Sequence, residues 1–202
     1  MITGAGRTPV SVIIVVSRAL GFYSLSRRAS NPVVIGDKVF ISETYGAGSA
    51  LLKIKPGGGY EEVWTDADKG RDKSMQCHWN TPIHHDGYLY GCTGRHTANG
   101  ELRCIELATG KVLWSQPGLT RSSLLMVDDH FICLCEDGQL LLLKMNPQKF
   151  DLVSSLEVHT PGDSGALLDY PCWAAPILSH GLLYLRGKDR LVCLELIPEK
   201  KP

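Results

Sequence analysis

Four segments of this 202-residue chain share one pattern of apolar and polar positions: a short apolar run, a turn built on Asp or Gly, and a second apolar run. They read NPVVIGDKVFIS, NTPIHHDGYLYGC, SSLLMVDDHFICLC and APILSHGLLYLRG. Apolar runs this short, bounded by turn residues, predict strands and hairpins rather than helices. The pairs that follow the turns are Val39-Phe40, Leu89-Tyr90, Phe131-Ile132 and Leu183-Tyr184, spaced by 50, 42 and 52 residues. A third run follows in each unit: ALLKIK, ELRCIEL, QLLLLKM and RLVCLEL. In three units a fourth comes after it, YEEVW at 60–64, KVLW at 111–114 and FDLVSSLEV at 150–158.

A four-stranded antiparallel meander repeating every roughly 40 to 50 residues predicts the blades of a β-propeller. One twisted sheet cannot cover both its faces, so such units stack on their neighbours. The expected fold is therefore all-β, with about four blades at 31–66, 79–116, 122–158 and 172–197, preceded by a non-repeat segment at 1–30. Propellers have four to eight blades. Three complete units and one of three strands leave two readings. Either VSVIIVVS near the N-terminus supplies the missing outer strand of a small ring, or the chain is an incomplete propeller, the C-terminal half of a larger one. The second is favoured, because nothing in residues 18 to 30 matches the repeat. An open arc exposes two blade faces, which predicts a homodimer or aggregation.

The stretch ELATGKVLW joins the third strand of its unit to the fourth. Thr109-Gly110 makes a tight turn in which Gly110 supplies positive φ. Trp114 ends the outer strand and Trp64 holds the same place in YEEVW, so both are expected to pack in the seams between blades.

These residues also carry a resemblance. The run GELRCIELATGKVLW, preceded by DGYLYG, resembles the repeat of the pyrroloquinoline quinone (PQQ)-like β-propellers, which include quinoprotein dehydrogenases and BamB-like outer-membrane assembly scaffolds. It extends over about residues 31 to 197, and is degenerate in the third unit, where MNPQKFD replaces the Thr-Gly turn. The BamB-like side of the family implies a non-catalytic scaffold or binding module with a protein or peptide partner, in the periplasm or secreted. The alternative it implies is a PQQ-dependent oxidoreductase holding PQQ and Ca²⁺. This chain lacks the adjacent cysteine pair often found in that second group, and no Ca²⁺ ligands can be matched to its positions. Cys133 and Cys135, at i and i+2 of one strand, share a face without an easy bridge.

Composition narrows the function further. Lys+Arg 21 balance Asp+Glu 21, so no general field draws the chain to nucleic acid or an anionic membrane. Seven Cys, mostly inside apolar strands, read as small core residues and fit a reduced compartment or a single bridge. The N-terminal GRTPVSVIIVVSRALGF is too short to span a bilayer. It reads as a strand or a signal-like segment, interrupted by Arg18 and without a clean cleavage site. A cytoplasmic location thus stays open beside export.

No catalytic constellation emerges. The densest polar cluster is MQCHWNTPIHHDG. Cys77, His78, His84 and His85 are ligand types that suit Zn²⁺ or another transition metal, although their spacing matches no standard motif. His78, Trp79 and Asn80 lie in the loop leading to an innermost strand, which opens on the axial mouth where propellers bind ligands. KPGGGY at 55–60 follows a strand without opening a helix, and so reads as a hairpin turn rather than a phosphate cradle. GDSG at 162–165 has no matching His and Asp partners. Arg95 and His96 are expected at a solvated hairpin tip.

Overall fold

A computed structural model describes residues 30–159 and 165–196. The expectations for VSVIIVVS, for the leader and for most of GDSG lie outside the described residues. The rest is an array of antiparallel sheets. Blade 1 is β1 (Val33–Ile35), β2 (Lys38–Glu43), β3 (Gly48–Ile54) and β4 (Tyr60–Thr65). Blade 2 is β5 (Ile83–His85), β6 (Tyr88–Thr93), β7 (Glu101–Glu106) and β8 (Val112–Pro117). Blade 3 is β9 (Ser122–Val127), β10 (His130–Cys135), β11 (Gln139–Lys144) and β12 (Leu152–Glu157). Blade 4 has three described strands, β13 (Ile177–Ser179), β14 (Leu182–Arg186) and β15 (Leu191–Glu195). Each is a meander in chain order, and among the described residues no sheet closes on itself. This is an incomplete β-propeller.

The blades share one register. The inner hairpin pairs Val33 with Phe40, Ile83 with Tyr90, Leu125 with Ile132 and Ile177 with Tyr184, seven residues apart each time. Three blades also carry a bulge at the same point of the third strand, between Leu51 and Leu52, Cys104 and Ile105, and Leu142 and Leu143. The outer-strand residue opposite the last position before the bulge is Trp64, Trp114 and Ser154 respectively. The third unit, degenerate in sequence, is therefore regular in structure. Its MNPQKFD turn is held by the Asn146 side chain, which accepts from the Gln148 N–H and donates to Asp151.

Strand alternation sends one apolar row of each sheet to each neighbour. Phe40, Leu51 and Trp64 of blade 1 pack on Leu89, Ile105 and Leu107 of blade 2. Tyr90 and Cys104 of blade 2 pack on Phe131, Cys133 and Leu143 of blade 3. Ile132 and Leu142 of blade 3 pack on Leu183, Leu185 and Val192 of blade 4. At the first seam the Trp64 indole N–H donates to the Leu107 carbonyl at 2.8 Å and its ring lies over Gly110. At the second, the Trp114 N–H donates to the Asn146 carbonyl at 2.8 Å and its ring meets Phe150 edge-on. Ser154 makes no such clamp at the third.

Gly110 combines a φ of +71° with a backbone so close to Trp64 that a Cβ would lie 2.8 Å from the ring. Gly118 has a φ of +83° with nothing within 4 Å. Gly118→Ala should therefore cost only the left-handed strain, about 1–2 kcal/mol. Gly110→Ala should cost that plus the seam displacement, roughly 2–4 kcal/mol in all. Urea unfolding of the two variants measures the difference, and equal losses would show that the Trp64 seam is not tight there.

Candidate functional site

The loops that lead into the innermost strands meet the turns between second and third strands at one end of the array. Trp79, Arg121 and Trp173 stand at a single repeat position there, each four residues before Ile83, Leu125 and Ile177. The fold brings them together. The Arg121 guanidinium carbon lies 4.4 Å from the centre of the Trp79 ring, and the Trp79 and Trp173 rings are 5.4 Å apart. A guanidinium over an indole is attracted to the ring's negative face. Ser123 ties the two tryptophans, its hydroxyl accepting from Trp79 Nε1 at 3.3 Å and donating to the Trp173 backbone carbonyl at 3.1 Å.

Glu136, from the β10–β11 turn, sits beneath this ladder with 0% exposure. Arg121 grips it with both arms, Nε to one oxygen at 2.9 Å and Nη2 to the other at 2.7 Å. Trp173 Nε1 adds a third donor at 3.0 Å. Burial by itself would raise the Glu136 pKa. The donated hydrogen bonds from Arg121 and Trp173 outweigh it and hold the carboxyl below its usual range.

The rim continues into blade 1. Arg121 Nη1 lies 3.0 Å from His78 Nδ1, and His78 Nε2 lies 2.8 Å from the Tyr45 hydroxyl. A guanidinium can only donate, so Nδ1 is the acceptor and the ring proton sits on Nε2, donating to Tyr45. Burial, then the positive charges of Arg121 and Arg95, lower the His78 pKa and keep the ring neutral near pH 7. Arg95 is exposed at its hairpin tip, yet it is not simply solvated. Its guanidinium lies 4.8 Å from the Tyr45 ring centre and its carbonyl accepts from Arg121. Tyr45, Tyr170 and Trp173 each leave about half their surface to solvent. The rim is an aromatic platform with its central charge already paired.

The residues singled out in the sequence take different places. His78 and Trp79 belong to the rim. Asn80 is buried beneath it, donating to the Cys92 carbonyl at 2.7 Å and accepting from the His78 N–H. Cys77 is buried in the first seam, where burial pushes its thiol up to about 12. His84 and His85 stand at the far end of β5, His84 accepting from the Gly87 N–H and His85 lying 3.3 Å from Asp86. Cys77 and His78 are thus not joined by His84 and His85. No group of three or more His, Cys, Asp or Glu among the described residues could hold a metal ion. Arg121, Glu136, Tyr45 and Trp173 were not legible as site residues. The echo of Trp79-Asn80-Thr81-Pro82-Ile83 in Trp173-Ala174-Ala175-Pro176-Ile177 is the signal that could have found the last of them.

A second surface stands out on blade 4. Ile177, Tyr184 and Cys193 lie in one cross-strand row, the register of Ile83, Tyr90 and Cys104 in blade 2, and Leu191 opposite Arg186 matches Leu102 opposite Cys92. In blade 2 these positions are covered by blade 3, with Tyr90, Cys104 and Leu102 fully buried. In blade 4 Ile177 is 63% and Leu191 70% exposed. The free face repeats a side-chain set that the array elsewhere buries.

The sequence profile of the family described as "Outer membrane protein assembly factor BamB" matches residues 17–116. No curated protein matches the chain. Among solved structures, the computationally designed Ika4 protein is similar with a TM-score of 0.57 at 11% identity over 86% of this chain and 93% of its own. The designed Ika8 protein gives 0.56 at 12% identity, over 84% of this chain and 45% of its own. BamB from Moraxella catarrhalis gives 0.50 at 16% identity, over 81% of this chain and 41% of its own. The chain thus spans less than half the length of Ika8 and of BamB. At such identities the likeness is one of fold.

Two outcomes follow from the rim. Glu136→Gln leaves Arg121 buried without its counter-charge and should cost about 3–5 kcal/mol in denaturant unfolding. A lowered His78 pKa means that the unfolded chain binds more protons than the folded one between that value and about 6.5. Stability should therefore fall as pH drops from 7 toward 5.5. His84, lowered by burial and by His85, acts in the same direction. His78→Gln should flatten the pH dependence in part, and an unchanged slope would remove His78 from the account.

Proposed function

As a protein with PQQ-like repeats of the BamB-like type and the corresponding propeller fold, this chain, we propose, is a non-catalytic binding module that docks protein through the free face of blade 4. The observation that carries this reading is the repeated row Ile177, Tyr184 and Cys193 with Leu191, exposed at registers where blade 2 is sealed by blade 3. Burying one such aliphatic side chain is worth about 1.5–3 kcal/mol, so covering the row is a strong drive to associate. The nearest occupant is a second copy. A scaffold role and a periplasmic location accompany this reading, the matched family being described as an outer-membrane protein assembly factor.

The oxidoreductase alternative finds no support in the donor set. Ca²⁺ takes six to eight oxygen ligands, several from carboxylates. The central carboxylate of the rim, Glu136, has both oxygens committed to Arg121 and one also to Trp173, and the buried Glu43 beside Tyr45 accepts from the Tyr45 and Ala47 N–H groups. Carboxylates so committed offer Ca²⁺ no free oxygens, which favours the binding-module reading over the oxidoreductase one.

Light scattering at about 10 µM protein tests the docking face. The expected result is a molar mass of two chains, falling to one in the Ile177→Gln/Leu191→Gln double variant. A wild-type monomer, or a dimer indifferent to both substitutions, would overturn it.

A further inference from the structure

Beside the rim, Pro171, Trp173, Ala174, Arg186, Gly187 and Lys188 line a half-open cavity of about 210 Å³. Its chemistry is readable from the blade before it. Glu136 and Lys188 hold one repeat position, four residues after Ile132 and Tyr184. In blade 3 that position and the Trp79/Arg121/Trp173 position touch, and what joins them is a carboxylate held by a guanidinium and an indole. In blade 4 the indole remains, but the carboxylate has become a lysine and Arg186 is added two residues before it. Cations replace the anion, and among the described residues no carboxylate completes the set.

The cations are not consumed elsewhere. Among the described residues, neither Arg186 nor Lys188 enters an ion pair, and the neighbouring Asp189 is taken by Arg190 at 4.0 Å. The backbone leaves the space open. The N–H of Lys188 donates to the Asp169 carbonyl and that of Gly187 to the Arg190 carbonyl, so both amides are occupied. A Cβ at Gly187 would lie 3.2 Å from the Asp169 backbone. Any anion here must therefore be met by the two side chains. The remaining wall, Pro171, Ala174 and the half-exposed Trp173 ring, is apolar.

We infer that this cavity binds a carboxylate attached to an apolar or aromatic group, the carboxylate on Arg186 and Lys188 and the apolar part on Trp173 and Pro171. A free aryl carboxylate and the C-terminal residue of a peptide share this chemistry and both fit its size. The site does not depend on the docking reading, since none of its lining residues is among the row Ile177, Tyr184, Cys193 and Leu191.

The test is titration of the whole chain with N-acetylphenylalanine and with its amide, following the Trp173 indole N–H resonance, assigned through Trp173→Phe. The carboxylate should shift that resonance with saturation, and the amide should bind at least tenfold more weakly. The Arg186→Gln/Lys188→Gln double variant should lose at least tenfold in carboxylate affinity while keeping the wild-type unfolding midpoint. A tetrapeptide ending in Phe, with free and amidated terminus, separates the sources: tighter binding than the single residue assigns the site to peptide ends, equal binding to small carboxylates. Equal affinity for acid and amide, inorganic phosphate matching the aryl carboxylate, or a double variant that binds as the wild type would each overturn the site. Repeating the titration on Ile177→Gln/Leu191→Gln keeps the two readings apart, because carboxylate binding should persist there whatever the molar mass.

Discussion

A four-stranded sheet whose strands are apolar on both faces must be covered twice, and this requirement organises the molecule. Each seam is sealed by a row from one blade against a row from the next, as Tyr90 and Cys104 are by Phe131 and Cys133. Sealing works only if every blade keeps the same hairpin register, because a slip of one residue would turn the row to the wrong side. The shared seven-residue pairing and the bulge at one point of the third strand meet that condition. The bulge aims the outer-strand side chain across the seam, and in two blades that side chain is tryptophan. Six of the seven cysteines are buried, and Cys77 and Cys104 serve as small seam residues whose thiols burial pushes up to about 12.

The same register builds the rim. Because the blades repeat, one position ahead of each innermost strand arrives at the same place on successive blades, and Trp79, Arg121 and Trp173 become neighbours although they lie about 40 to 50 residues apart, one blade from the next. A buried carboxylate then holds the ladder together: Arg121 and Trp173 come from different blades, and Glu136 binds both. Such a buried pair is costly to desolvate and costly to break, so its value lies in fixing how blades 3 and 4 meet.

Most of the fold was legible in the sequence because it is written in local signals. Apolar runs, Asp and Gly turns and the period of the repeat gave the strands and their grouping, down to the third unit, whose turn lacks Thr-Gly but whose apolar rows are intact. The site was legible only in part. His78 and Trp79 were visible because the loop is rich in unusual side chains. Arg121 and Glu136 looked like an ordinary loop cation and an ordinary hairpin-turn acid in CEDG, and only three-dimensional adjacency makes them a pair. His84 and His85 misled in the opposite way, since nearness in sequence hid the strand that separates them from His78.

Ser154 stands where the other complete blades carry tryptophan, and the strand around it, with Leu152, Val153 and Leu156 about half exposed, is poorly covered. In a stacked array the cohesion of each unit comes from its junctions with its neighbours. Blade 4 is joined to the rest by its inner rows, by Glu136 and by the contacts of Ser123 and Trp79 with Trp173, without the outer-strand clamp of the other two seams. Whatever settles on that blade therefore leans on a seam carried by its inner rows and its rim, with the outer edge left to side chains that water already reaches.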